Sequence, residues 1–188
     1  VPKRADIIKK LREELDPERF EHSLRVEKTA AALARRFKVA VHKARIAGLL
    51  HDCSRKYNRA QMLTAARRLK LKIDPVSEFE PKLLHAQLSA HLAKKNFGVN
   101  STEILGAIRR HTVGAPAMSK LDKIIYLADH IEEGRDFSGV NKVRSLAKKD
   151  LNRAVIESTS NMLKFLLAKG LPIHPGTIET RNYYLLKA

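Results

Sequence analysis

The stretch DPERFEHSLRVEKTAAALARRF, residues 16–37, decides the fold class. Asp16 supplies an N-cap, Pro17 occupies the first helical position and Glu18 is an acid in the first turn, the combination that opens a helix. Phe20, Leu24, Ala30, Leu33, Ala34 and Phe37 then recur at helical spacing and give it one apolar face, with His22 one turn in from its start. The same signals repeat outward. Helices are predicted from Arg4 to Leu15, from about Val41 to His51, from the Asn58 cap through Leu71 to a turn at Asp74-Pro75, and over 82–96 and 102–111. Ser119 and Asp122 have capping-box spacing and open another helix from Leu121 to about Glu132. A long helix over Asn141–Lys169 should stop at Gly170, and a short one should follow the turn at Pro172–Pro175. Alternating strand-like runs are nearly absent, so the class is all-α.

A chain of 188 residues with 44% hydrophobic content can bury one sizeable core. No Pro/Gly/Ser-rich linker divides it, which predicts a single domain over 1–188. The lone Cys53 excludes an internal disulfide and a thiolate zinc cluster, and fits a reducing cytoplasm. Apolar runs are too short to span a bilayer, and Val1-Pro2-Lys3-Arg4 leads into a charged helix, so neither membrane nor signal sequence is expected. The net charge of +17 invites a nucleic-acid partner. Against that, the cations come as scattered pairs such as Arg35-Arg36, Arg67-Arg68 and Lys148-Lys149, and only 5% of residues are aromatic. The field of such a surface would also attract polyphosphates.

Chemistry enters with IAGLLHD, residues 46–52, where an imidazole and a carboxylate leave the end of an apolar run together. The dipeptide alone is weak, but His22 precedes it and His85, His111 and Asp129 follow, the last inside the apolar run IIYLAD at 124–129. An acid in such a run is expensive to bury unless a metal or a basic partner neutralises it. Imidazoles with carboxylates and no thiolate suit iron, manganese, zinc or cobalt, with magnesium as a further option. His22, His51, Asp52 and Asp129 can hold one ion, while Asp52 can bridge to a second held by His85 and His111. Such a pair would present a bridging water as hydroxide for attack on phosphorus. Singly, each histidine has a bland reading: His42 and His174 as surface or loop residues, and no more than one of His85 and His91, six apart on a helix, pointing inward. Asp122 reads as a capping residue, and Cys53 as a small buried one.

The order His22, His51-Asp52, Asp129 resembles the HD-domain metal-dependent phosphohydrolases, an all-helical superfamily. HTVG at 111–114, MSKLDKIIYLAD at 118–129, IEEGRDFSGV at 131–140 and IHPGTIETRN at 173–182 are similar to the bacterial YqeK family of symmetrical bis(5'-nucleosyl)-tetraphosphatases, over about Arg4 to Leu186. The resemblance implies a single HD-type helical bundle that cuts diadenosine tetraphosphate into two ADP by attack of a metal-bound hydroxide on a bridge phosphorus. It puts iron on His22, His51, Asp52 and Asp129. It puts nucleotide contacts on Ser54, Arg55, Lys56 and Tyr57, on His85, on His111, Thr112 and Gly114, on Arg135, and on Pro172, Ile173, His174, Pro175, Gly176 and Thr177. Departures from the family pattern are Ser54-Arg55 after the metal pair and Glu133 in place of a common proline.

His51, Asp52, Arg55 and Lys56 are thus the expected catalytic set, with Arg55, Lys56 and Arg135 as cations for the phosphates. A dinucleoside polyphosphate, or its ADP or GDP product, is the expected ligand, and a homodimer is compatible. Two rival readings stand beside this one. The first is a phosphohydrolase of the same superfamily acting on another nucleotide; the second is a basic nucleic-acid-binding helical protein whose metal site is not catalytic.

Overall fold

Helix starts follow the caps. The computed structural model describes residues 2–187, so Val1 and Ala188, the two ends of the expected domain, lie outside the described residues. In order, α1 spans Arg4–Glu14, α2 Pro17–Arg36, α3 Val41–Leu50, α4 Arg59–Arg68 and α5 Pro75–Phe79. A 3-10 turn at Pro81–Leu84 leads into α6 (His85–Phe97), then come α7 (Thr102–Arg110), α8 (Lys120–Ile131), α9 (Val140–Ala147), α10 (Leu151–Ala168) and α11 (Pro175–Leu185). No strand occurs among the described residues. Asp16 accepts a hydrogen bond from the Arg19 amide at 2.9 Å, and full capping boxes form at Asn58/Gln61 and Ser119/Asp122.

Two stretches depart from the sequence pattern. The long helix predicted over 141–169 is two helices. Asp150 accepts hydrogen bonds from the amides of Asn152 (2.8 Å) and Arg153 (3.1 Å), starting α10 afresh so that α9 and α10 can each pack on α8. Periodicity runs through such a break because both pieces turn an apolar face to the same neighbour. At Asp74-Pro75 the expected turn is the start of α5, with Asp74 accepting from the amides of Val76 and Ser77.

The core is built around α8, whose Leu121, Ile124, Ile125, Tyr126, Leu127 and Ala128 are all buried. On it lie α2, α3, α7 and α10, and one apolar cluster runs from Ile7 in α1 to Tyr184 in α11. A smaller cluster of Met62, Ala66, Leu84 and Leu88 sits between α4 and α6. Helices α2 and α3 come close at Gly48, where a Cβ would lie 3.0 Å from the Glu27 Cα and 3.2 Å from its amide nitrogen. Both obstacles are backbone and cannot rotate away. Gly48→Val should therefore lower stability by about 2 kcal/mol or more, since overpacking against a rigid wall usually costs 1–3. A urea midpoint equal to wild type would show that α2 yields.

Candidate metal centre

His51 and His111 stand immediately after α3 and α7, and His85 follows the 3-10 turn. The last carbonyls of a helix have no amide partner within it. His51 and His111 each supply one, Nδ1 donating to the carbonyl three residues back, Gly48 (2.7 Å) and Ile108 (2.7 Å), while His85 Nδ1 is a second donor to the Lys82 carbonyl, which already accepts from the His85 amide. A carbonyl only accepts, so the ring hydrogen is on Nδ1 and Nε2 carries a bare lone pair. On α2, His22 Nδ1 likewise donates to the buried Glu132 at 3.3 Å.

These Nε2 atoms converge. His22 and His51 approach to 3.3 Å and His85 and His111 to 2.8 Å, and with both Nδ1 hydrogens given to carbonyls no hydrogen stands between the latter pair. Asp52 lies among them at 2% exposure. Its Oδ2 faces His51 (3.8 Å), His22 (4.0 Å) and Arg19 (3.3 Å), and its Oδ1 faces His85 (3.1 Å) and His111 (3.7 Å). No hydrogen bond reaches Oδ1. Asp129 Oδ1 is 3.1 Å from His22 Nε2 and 3.8 Å from that of His51. Ligand atoms of His22, His51 and Asp129 lie within 4.8 Å of one another, as do those of His51, Asp52 and His111.

The electrostatics agree. Burial holds His51 down at about 4, so the ring is neutral at pH 7. Burial would raise the Asp52 carboxyl, yet the surrounding imidazoles, His51 and His85 first, keep it well below the ordinary carboxylate range. Asp129 behaves alike, with His22, His51 and Arg135 opposing its burial. Bare lone pairs facing one another around buried carboxylates are repulsive in themselves and complementary to a cation, and these hard and borderline donors fit a divalent metal. Cys53 takes no part: burial pushes its thiol up to about 12.

A cavity of about 280 Å³ opens onto this cluster, walled by Asp52, Arg55, His85, Thr112, Asp129, His130, Arg135, Phe137 and Met162. The other residues named from the sequence fall in several places. Arg55 Nε lies 3.5 Å from Asp52 Oδ1, is buried and makes no hydrogen bond. Lys56 instead pairs with Glu14 at 2.9 Å, and Tyr57 packs beside it against the core, away from the cavity. The Ser54 hydroxyl donates to the His85 carbonyl and shapes the wall rather than lining it. Thr112 Oγ1 is 3.1 Å from His85 Nε2 and 3.2 Å from His111 Nε2. Gly114 has φ +74° and abuts Thr180, where a Cβ would lie 2.6 Å from that side chain. Pro172, His174 and Thr177 line an adjoining cavity, while Ile173, Pro175 and Gly176 complete the same turn; His174 caps α11 by accepting from the Gly176 amide and reaches Asp74 at 3.2 Å.

Arg135 donates to both the Asp129 carboxylate (2.6 Å) and its carbonyl (2.8 Å), so Asp129 has a basic partner as well as the imidazoles. Two participants were missed from the sequence. Glu132 holds His22 while also accepting from Arg25 (2.6 Å) and the Gly134 amide (2.6 Å). His130, its Nδ1 donating to the Tyr126 carbonyl at 2.8 Å, walls the cavity. Glu132 stands about one helical turn from Asp129 and His130 directly follows Asp129, signals that alone cannot separate a functional neighbour from a surface residue.

Known proteins bear on this arrangement directly. The profile of the HD domain family matches residues 19–134. Bis(5'-nucleosyl)-tetraphosphatase, symmetrical, from Halalkalibacterium halodurans is 39% identical over 184 residues, covering 98% of both chains. The protein of the same name from Bacillus subtilis is 38% identical and covers 96% of both. A crystal structure of a predicted HD superfamily hydrolase involved in NAD metabolism, from Clostridium acetobutylicum, superposes with TM-score 0.95 at 39% identity over 99% of this chain and 98% of that one. An HD domain implies binding of a divalent metal, and a His/Asp cluster that could hold one is present here. A helical fold with imidazoles gathered at helix ends around Asp52, a family profile over residues 19–134 and near-full-length relatives lead to one statement: the chain belongs to the HD-domain family.

Proposed function

We propose that this protein hydrolyses dinucleoside tetraphosphates symmetrically, diadenosine tetraphosphate giving two ADP, within one domain spanning residues 1–188. The observation that carries it is the pairing of lone-pair Nε2 atoms around buried Asp52, a cation site with a cavity beside it sized for phosphates. The near-full-length relatives named for this activity support the choice of substrate. His22, His51, Asp52 and Asp129 would hold the first ion, and Asp52 with His85 and His111 would hold a second. When bound, the divalent metal lowers the pKa of water and draws electron density from a phosphoryl oxygen. Iron is the ion we assign, in line with the nitrogen and oxygen donors present.

The chain's own residues do the rest. Nδ1 anchoring fixes each ring so that its Nε2 cannot swing away, and Glu132 does the same for His22. Arg55, paired with Asp52 in the cavity wall, presents its guanidinium charge to the phosphate oxygens on which charge grows in the transition state. Arg135 orients Asp129 and presents a second cation at the same wall. In the net reaction one water oxygen bonds to a central phosphorus, the central bridging P–O bond breaks, and each product leaves as a nucleoside diphosphate. Lys56 acts at a distance, as part of the positive field, because its ammonium is held by Glu14. The turn at Pro172–Thr177 lines the neighbouring cavity and would receive a nucleoside.

Exposed Leu167, Ile178, Leu185 and Leu186 on α10, α11 and beyond support pairing of two chains, which light scattering would measure as twice the chain mass. A reducing cytoplasm is the compartment we assign, supported by the free buried thiol of Cys53. No helix among the described residues is long and apolar enough to cross a membrane.

Elemental analysis of purified protein should find iron, and Asp52→Ala should lose both bound metal and ADP release from diadenosine tetraphosphate, the latter by a factor of about a hundred or more. Retention of full activity by that variant would falsify the assignment. Arg55→Ala should keep its metal yet lose about a hundredfold in kcat/KM, the usual effect of removing one charge-stabilising donor; metal loss instead would make Arg55 a structural partner of Asp52. Glu132→Gln should weaken metal affinity by about 10–100-fold, read by competition with a chelator, and unchanged affinity would remove Glu132 from the site's support.

A further inference from the structure

A symmetrical substrate has two nucleosides, one on each side of the bond that breaks. Two further cavities share walls with the metal cavity. The first, containing Phe79, Leu171, Pro172 and His174, joins it at Thr112 and Met162 and is the one already assigned to a nucleoside. The second, of about 670 Å³, joins it at His130, Phe137 and Met162 and is completed by Asn161, Lys164 and Phe165. We propose that this second cavity, between the α8–α9 loop and α10, is the subsite for the other nucleoside of the dinucleoside polyphosphate, with Met162 as the partition between the halves. This rests on the functional reading above.

Three observations carry it. Of the six phenylalanines, those more than a third exposed are Phe79, Phe137 and Phe165, and all three line these two cavities, Phe79 the first and the other two the second. Exposed aromatic rings flanking a phosphate site are what a nucleobase stacks on, whatever its edge pattern. Next, Gly139 has φ +92°, a conformation that favours glycine, and its missing Cβ would lie 2.9 Å from Asn161 Nδ2, so the loop lies close against that amide. The Asn161 Nδ2 is buried and has no hydrogen-bond partner, a donor left for a ring nitrogen or a ribose oxygen. Finally, the volume is of the size that small-molecule sites have, and the opening leads straight to the metal cavity through shared residues.

The test uses metal-loaded protein, wild type against Phe165→Ala and Asn161→Leu. Two substrates are compared: diadenosine tetraphosphate, and adenosine 5'-tetraphosphate, which carries one nucleoside and whose central cleavage gives ADP and pyrophosphate. Each variant should raise KM for the dinucleotide about tenfold or more while its kcat/KM for the mononucleotide stays within about twofold, a selectivity expected when one stacking or hydrogen-bonding partner of one half is lost. Equal losses on both substrates, or none on either, overturn the proposal. Equilibrium dialysis with ADP gives an independent reading: two molecules per wild-type chain and one per Phe165→Ala chain are expected, and one per wild-type chain overturns it. A wild type that binds two ADP but leaves diadenosine tetraphosphate intact would refute the functional reading and leave the subsite standing.

Discussion

Three hydrogen bonds from imidazole to helix-end carbonyl, at His51, His85 and His111, determine what this molecule can be. Because each carbonyl takes the Nδ1 hydrogen, the outward nitrogen of every ring is a donor of electrons and of nothing else. Such nitrogens cannot satisfy one another, and burying Asp52 in their midst calls for positive charge close by. Arg19 and Arg55 supply part of that charge beside Asp52, and Arg135 beside Asp129, while the ring nitrogens between them offer lone pairs to an ion. The acidic second layer follows from the same requirement: Glu132 orients His22 and is itself held by Arg25.

Helix ends are natural places for this chemistry. There a carbonyl lacks its amide and the chain leaves its axis, so a side chain can point along the bundle instead of outward. The approach of α3 to α2 at Gly48 brings two such features together, the ring of His22 from one helix and the terminal His51-Asp52 of the other. In α8 the situation differs, since Asp129 leaves the helix from its side, and His22, His51 and Arg135, six residues on, together keep it charged among apolar neighbours.

The helical class, nearly all helix starts and the convergence of His22, His51, Asp52, His85, His111 and Asp129 were legible because caps and apolar period are local signals and the set of residue types is chemically narrow. Less was legible where the outcome depends on geometry across the bundle. Lys56 and Arg55 are adjacent and equally basic, yet one turns to Glu14 and the other to Asp52, a choice made by the turn after α3. Glu132 looks like its exposed neighbour Glu133 until α2 brings His22 and Arg25 against it. The break at Asp150 was hidden because an N-capping residue inside a long apolar period competes with continuation, and packing on α8 decided for the cap.

The cluster's residues come from α2, the ends of α3 and α7, the start of α6, and α8. Only His51 and Asp52 are neighbours along the chain, so the unfolded polypeptide offers an ion no comparable site. Binding is therefore linked to folding: the native state gains RT ln(1 + [M]/Kd), and melting temperature becomes a function of free metal concentration. The same linkage works in reverse. A substitution that removes no ligand but loosens the bundle, at Met62 in the smaller apolar cluster for example, also lowers the apparent affinity for the ion, so metal content reports on the whole tertiary structure.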